Sequence, residues 1–331
     1  MSTRPEIPGL HHVTAITADA PGNVAFYTRT LGLRLVKKTV NQDDVSAYHL
    51  FYGDARGSPG MDMTFFDWPR AAPNVPGGGT VARVSFAVPS AGALRWWQDR
   101  FDRLGVPHGD IADRRGRSAL AFADPEGQRL ELVDAEGAGG PAVQPWPGSP
   151  VPPDVAIRSF YGVTLDAPAA GPTVAFLTLH MGFRAADRFE DGGRPVTVLE
   201  CGPGGAGTEV RVAAPWARRG APGSGGVHHV AFRAVDDAEQ AHWLAALRAA
   251  RVPNSGLVDR HYFRSLYFRE PGGVLFEIAT DGPGFATDEP ADRLGERLAL
   301  PPFLEPHRAR IEAGLIPLDT GAAARGGPSD G

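Results

Sequence analysis

A single cysteine, Cys201, in 331 residues excludes any intrachain disulfide. No apolar run approaches the ~18 residues that a membrane-crossing helix requires. Basic charge is not clustered. Lys and Arg (33) are scattered and outnumbered by Asp and Glu (38), and the net charge of −5 gives no footprint for nucleic acid. The opening MSTRPEIPGL reaches a strand-like stretch without an apolar signal core, so no secretory leader is expected. These absences together predict a cytoplasmic chain with neither nucleic acid nor membrane as partner. What is plentiful is glycine (42), proline (31) and hydrophobic residues (42%). That composition predicts many turns around a sizeable core, in one large or two medium domains.

One plan recurs four times, at a period of roughly 70 residues: a strand, an amphipathic helix, then short strands. The first unit starts at 11–17 (HHVTAIT). Its helix is expected near 21–31, with Asp19 as N-cap and Gly32 as stop. The second unit starts at 81–89, with a helix near 91–104 and a last strand at 127–134. The third starts at 158–167, with a helix near 171–181 and a last strand at 207–215. The fourth starts at 227–235, with a helix near 237–250 and a last strand at 272–280. Alternating sheets with one helix on the outer face of each unit make this an α+β chain of four βαβββ modules in two paired half-barrels. A Gly/Pro-rich linker at 135–157 divides an N-terminal domain (8–134) from a C-terminal one (158–281). An extension (282–331) follows, with a short helix near 304–314 and a tail, GAAARGGPSDG, expected to be disordered.

The first strands of units one and four each open on a histidine doublet, His11-His12 and His228-His229. Glu277 interrupts the apolar last strand of unit four. A carboxylate buried there is costly unless it is paired or bound to metal. A lone histidine on an apolar strand is more often a core residue. Two at matching frames of a repeat, with a buried Glu, point instead to His12, His229 and Glu277 as a facial triad, the arrangement that holds Fe(II) with open positions for substrate and dioxygen. Spacing alone leaves Mn(II), Zn(II) and Ni(II) open. The other units serve as an internal control. Thr64 fills the last-strand slot of unit one, Arg83 and Glu131 the two slots of unit two, and Gly162 and Arg211 those of unit three. The site is therefore expected between units one and four, with Glu131 as the weaker competing carboxylate.

Around the triad, Tyr267 is placed to hydrogen-bond a bound phenolate or move a proton, and Arg260 to neutralise a substrate oxyanion. Thr14 shares the His12 face. Alternation tends to point His11 and His228 away from the metal, in orienting or proton-relay roles. His49 is a candidate for the cavity wall. His261, beside Arg260, is a candidate third pocket base, although its turn position favours solvent exposure, and His108, His180, His242 and His307 are expected to be structural or solvated.

The stretches GLHHVTAIT, LGLRLVKKTVNQDD, YHLFYGDARGSPGMDMTFF, GGVHHVAF, DRHYFRSLYFREPGGVLFEIATDGPGF and LPPFLEPHRARIEAGL resemble the vicinal oxygen chelate superfamily from about residue 8 to 318. The closer match is to its hydroquinone-type ring-cleaving dioxygenases, often labelled glyoxalase-like. The resemblance implies an Fe(II) enzyme, with Mn(II) as a substitute, that opens a dihydroxylated aromatic ring with O2. It puts the metal on His12, His229 and Glu277 and the pocket on His11, Thr14, His228, Arg260 and Tyr267. It also suggests a homo-oligomer. The chain departs from the pattern at His261, where some relatives carry glycine, a change that bears on pocket size. Two rivals are a glyoxalase-type isomerase or lyase, which needs a fourth carboxylate ligand, and a non-catalytic binding protein for a small aromatic or antibiotic.

Overall fold

The computed structural model describes residues 6–320. The expected plan is present four times. Module one comprises β1 (Leu10–Thr17), α1 (Ala20–Ala25), β2 (Arg34–Asn41), β3 (Asp44–Gly53) and β4 (Asp62–Asp67). Module two comprises β5 (Thr80–Val88), α2 (Ala91–Leu104), β6 (His108–Asp113), β7 (Ser118–Ala123) and β8 (Arg129–Asp134). Module three comprises β9 (Ser159–Asp166), α3 (Ala170–His180), β10 (Arg184–Asp191), β11 (Arg194–Glu200) and β12 (Glu209–Ala213). Module four comprises β13 (Gly226–Ala234), α4 (Asp237–Ala249), β14 (Asn254–Asp259), β15 (Arg264–Arg269) and β16 (Leu275–Thr280). A short helix, α5 (Arg308–Gly314), follows in the extension.

Local chemistry sets the helix ends. In α2, Ala93, Leu94, Trp97 and Phe101 bury one face. The Ser90 side chain accepts from the Ala93 N–H at its start, and Gly105 takes the left-handed conformation at its end (φ +66°). Asp19 caps α1 as expected, through the Gly22 N–H. The helical stretch continues to Thr30, with Leu31 as its C-cap, but widens into a π-turn over Phe26–Thr30.

Among the described residues sixteen strands form two eight-stranded sheets. One has the order β14-β15-β16-β13-β1-β4-β3-β2, the other β10-β11-β12-β9-β5-β8-β7-β6. Modules four and one thus share a sheet through the antiparallel β1–β13 pair, and modules two and three share the other through β5–β9. The sheets do not follow the division into 8–134 and 158–281, since each half of the sequence gives one module to each sheet. Strand pairing extends a sheet wherever two module-opening strands meet edge to edge, and here the meeting runs across the linker.

The linker has no helix or strand but is pinned in place. Val155 accepts from the Trp97 indole N–H (2.8 Å), and the Gln144 N–H donates to Asp54 (3.0 Å). The extension covers β2, the edge of the first sheet. The fully buried Lys37 ammonium pairs with Glu289 and with Asp288 (2.6 Å), and the Ala299 N–H donates to the Lys38 carbonyl (2.9 Å). An edge covered in this way offers no open ladder to another chain. The tail predicted to be disordered lies outside the described residues. Among the described residues no helix is long and apolar enough to cross a membrane.

Candidate metal centre

Register brings the three predicted ligands to one point. His12 lies opposite Ala231 across β1–β13, and Ala231 lies opposite Glu277 across β13–β16. Residues directly opposite share a face, as do residues two apart on a strand. His12, His229 and Glu277 therefore project from the same face of the sheet. His12 Nε2, His229 Nε2 and Glu277 Oε2 form a near-equilateral triangle with edges of 3.2, 3.2 and 3.0 Å. All three residues are buried. Ser265 Oγ donates to the other carboxylate oxygen, Glu277 Oε1 (2.5 Å), and leaves Oε2 aimed at the histidines.

The first histidine of each doublet orients the second. Two β-bulges interrupt the β1–β13 ladder, one at the Leu10–His12 step of β1 and one on β13 opposite the Thr14–Ala15 step. The extra residue is His11 in the first and His228 in the second. A bulge re-aims a side chain that strict alternation would send to the far face: His228 reaches the cavity wall, whereas His11 stays behind His12 in the orienting role that alternation suggests. His11 Nε2 donates to the Thr280 carbonyl (3.1 Å), which leaves its Nδ1 to accept from His12 Nδ1–H (2.9 Å). His12 Nε2 then carries a bare lone pair toward the triangle. His228 Nδ1 stands 2.8 Å from His229 Nδ1, placed to accept from its Nδ1–H in the same way. Metal-ligating histidines are generally held by such a bond on the opposite ring nitrogen. Burial keeps His11, His228 and His229 neutral. The pKa of His11 and of His228 falls to about 3, and that of His229 is also lowered.

The triangle faces a cavity of about 430 Å³ whose wall is mostly aromatic, with Phe51, Phe66, Trp68 and Phe263 on it. Tyr267, opposite Glu277 on β15, meets His229 edge-on (centroids 5.7 Å). Its hydroxyl pKa is raised, by burial first and then by the Glu277 charge, so the phenol stays neutral. The Arg260 guanidinium lies over the Tyr267 ring (5.4 Å) and pairs with both oxygens of Asp43 (2.7 and 3.1 Å). His49 and His228 also line the cavity. Thr14 and His11 do not line it. Thr14 Oγ1 accepts from Thr64 (2.8 Å), and His11 is sealed behind His12. His261 is not the solvated turn residue expected. It adopts φ +70°, and its Nε2 is buried 3.6 Å from Asp288.

A family model described as the Glyoxalase/Bleomycin resistance protein/Dioxygenase superfamily matches residues 9–132 and 167–278. The chain belongs to this superfamily. Among curated superfamily relatives, a Bacillus subtilis (strain 168) protein named MhqA, a candidate ring-cleaving dioxygenase, is 46% identical over 95% of this chain and 99% of its own length. The chlorohydroquinone/hydroquinone 1,2-dioxygenase of Sphingobium indicum is 34% identical over 90% of this chain and 93% of its own. A crystal structure of a candidate dioxygenase from Bacillus subtilis superposes with a TM-score of 0.85 at 39% identity, covering 95% of this chain and 98% of that one. Glyoxalase I from Zea mays shares the fold (TM-score 0.60, 12% identity, 82% of this chain and 92% of that one).

The residues present fit a divalent cation. Glu277 Oε2 is buried without a hydrogen-bond donor. With both Nε2 atoms held as acceptors, three lone pairs converge on one point, which is unfavourable unless a cation sits there. Metal bonds of about 2.1 Å at right angles to one another would separate three ligands by about 3.0 Å, close to the edges observed. Sequence reading missed Asp43, Ser265 and Phe263. Asp43 and Ser265 read as an ordinary turn acid and strand hydroxyl. The Phe263 ring packs against both His11 (5.4 Å) and His12 (5.1 Å), and nothing in its local pattern marks that contact.

Proposed function

We propose that this chain is an Fe(II)-dependent dioxygenase that opens a dihydroxylated aromatic ring, hydroquinone-type before catechol, with Mn(II) as a possible substitute metal. The convergence of His12, His229 and Glu277 at the end of an aromatic-walled cavity carries the reading. The 34% identity to a chlorohydroquinone/hydroquinone dioxygenase supports the substrate class. Bound by these three residues, Fe(II) would supply open positions for both reactants and the electrons that activate dioxygen.

The chain's own residues do the rest. Two neutral imidazoles and one carboxylate leave the site about one positive charge, which favours a phenolate over a neutral phenol. The neutral Tyr267 hydroxyl donates a hydrogen bond to the developing oxyanion. Arg260 adds a fixed positive charge at the same wall, and Asp43 holds it in place. His228 lines the cavity, and with its Nδ1 accepting from His229 its proton sits on Nε2, which makes no hydrogen bond among the described residues and is free to donate to a substrate oxygen. The aromatic wall excludes water from the ring.

The test is anaerobic purification, Fe(II) loading and oxygen uptake with hydroquinone and catechol panels. Uptake with a ring-opened product supports the reading. One tightly bound metal per chain with no uptake on any ring overturns it in favour of an isomerase, although Thr64 stands where module one would have supplied the extra carboxylate. Absence of metal binding overturns the triad.

A further inference from the structure

The triad, Tyr267 and Arg260 account for the part of the cavity wall that modules four and one build around the metal ligands. On β3 of module one, with two strands between it and β13, His49 lies in the cavity wall between Phe51 (centroids 4.0 Å) and Phe66 (4.4 Å). Its Nε2 is 3.0 Å from Thr64 Oγ1, and Thr64 donates its hydroxyl proton to Thr14 Oγ1 (2.8 Å). A hydroxyl has one proton to give. With that proton committed to Thr14, Thr64 accepts from His49, which fixes the His49 proton on Nε2. The His49 Nδ1 is then a bare acceptor. It has no partner among the described residues, it is not one of the sealed unpaired atoms, and its ring lines the cavity. Burial first, then the nearby His12 and His229, keep this imidazole neutral.

The position is built rather than accidental. His49 stands two residues from Phe51, which is opposite Thr64, just as Ser265 stands two residues from Tyr267, which is opposite Glu277. In module four the short serine reaches the carboxylate. In module one the longer imidazole reaches Thr64 and still presents a second nitrogen. Two strands, β4 and β1, separate it from β13, which carries His229.

We propose that His49 Nδ1 accepts a hydrogen bond from the substrate hydroxyl that is not held at the triad, and thereby selects 1,4-dihydroxybenzenes over 1,2-dihydroxybenzenes. This rests on the ring-cleaving reading. A catechol has both oxygens on one edge, so with that edge at the triad neither reaches Nδ1. A hydroquinone carries its second hydroxyl across the ring. A buried acceptor left unpaired penalises the wrong ligand by about 10- to 100-fold. An O-methylated second oxygen, as in 4-methoxyphenol, has no proton to donate and is rejected in the same way.

Three variants separate this role from simple support of Thr64. Asparagine places an amide near the Nδ1 position, glutamine places one near Nε2, and phenylalanine supplies neither. Anaerobic calorimetry on the Fe(II)-loaded protein gives the Kd for hydroquinone, catechol and 4-methoxyphenol, and oxygen uptake gives KM and kcat. The expected result is a hydroquinone preference of at least about 10-fold in wild type. His49→Phe and His49→Gln lose it, His49→Asn retains most of it, and the change falls on KM more than kcat. Preference retained in His49→Phe, or in His49→Gln but not His49→Asn, overturns the proposal and leaves the dioxygenase intact. No uptake by wild type on any ring overturns the dioxygenase reading instead, and the calorimetric preferences then decide His49 alone.

Discussion

Glu277 and Glu131 stand at the same register of the last strand in modules four and two, one in each half-barrel, and both are fully buried. Their surroundings differ. Glu277 faces two imidazole nitrogens and keeps one oxygen without a donor. Glu131 meets Arg211 (2.8 Å), Ser85 (2.8 Å), Arg83 (3.4 Å) and Arg114 (3.6 Å). Where module four has His229, module two has Arg83. Where module one has His12, module three has Gly162, whose missing side chain lets the Glu209 carbonyl come within 2.5 Å of where a Cβ would sit. The second sheet repeats even the bulges, at the Val81–Arg83 and Ser85–Phe86 steps. One backbone thus offers the same buried carboxylate two ways of being neutralised. Fixed guanidinium groups complete the charge within the protein. Imidazole lone pairs leave it to be completed by a cation from outside.

Exchanging the two carboxylates should show this difference most strongly. Glu277→Ala should abolish metal retention, read as metal per chain after dialysis, with little loss of stability in the metal-free protein because converging lone pairs are relieved. Glu131→Ala should retain the metal and lose about 1.5–3 kcal/mol on denaturant unfolding, because the buried Arg211 loses one of its two carboxylate partners and keeps only Glu209. If Glu131→Ala lost the metal instead, the second half-barrel would have a part in the site that its geometry does not suggest.

Tyr267 sharpens the comparison at the level of chemistry. Its counterpart opposite Glu131 is Ala121, so an aromatic hydroxyl is found only where the ligands are. Tyr267→Phe should lower kcat by about 10²-fold with metal content unchanged. Unchanged turnover would reduce the tyrosine to a packing residue.

Frame was legible before structure, and contact across modules was not. His12, His229 and Glu277 could be read because strand alternation has a fixed period and the doublets occupy matching frames. That modules one and four share the site followed from their being the modules that carry histidine. The bulges at His11 and His228 could not be read, since an extra residue leaves no mark in an apolar run. The pairing of Lys37 with Asp288 and Glu289 joins positions about 250 residues apart, and nothing local to either end signals the other.

Acid should act on the two half-barrels in different pH windows. In the metal-free protein His11 and His228 titrate near 3, whereas in the unfolded chain they titrate near 6.5. Between those values the unfolded chain binds more protons. Stability therefore falls as pH drops below about 6.5, by about 1.4 kcal/mol per pH unit for each such histidine. Glu131 is held below its usual range, since Arg211 and Arg83 outweigh the opposing effect of burial, and its contribution is lost only below about pH 4.5. Urea unfolding at pH 7 and pH 5 should show the histidine slope. His11→Asn with His228→Asn should flatten it, and a slope unchanged by the double variant would place the acid sensitivity elsewhere.

The smallest expected difference lies in the straps. Arg260 pairs with Asp43, joining the hairpin turns of modules four and one. Arg114 pairs with Asp191 (3.0 Å), joining those of modules two and three. The residues that follow, His261 and Arg115, both take positive φ, at 70° and 61°. The strap therefore belongs to the fold, and Arg260 inherits its position from that geometry as much as from chemistry. These pairs are partly exposed and contribute at most about 1 kcal/mol each, so Asp43→Asn and Asp191→Asn should shift stability equally and slightly. Only Asp43→Asn should raise KM, by a few-fold, because only there does the freed guanidinium border a cavity ending in the triad. An equal effect of both variants on KM would mean that Arg260 acts on the substrate only by holding the barrel closed.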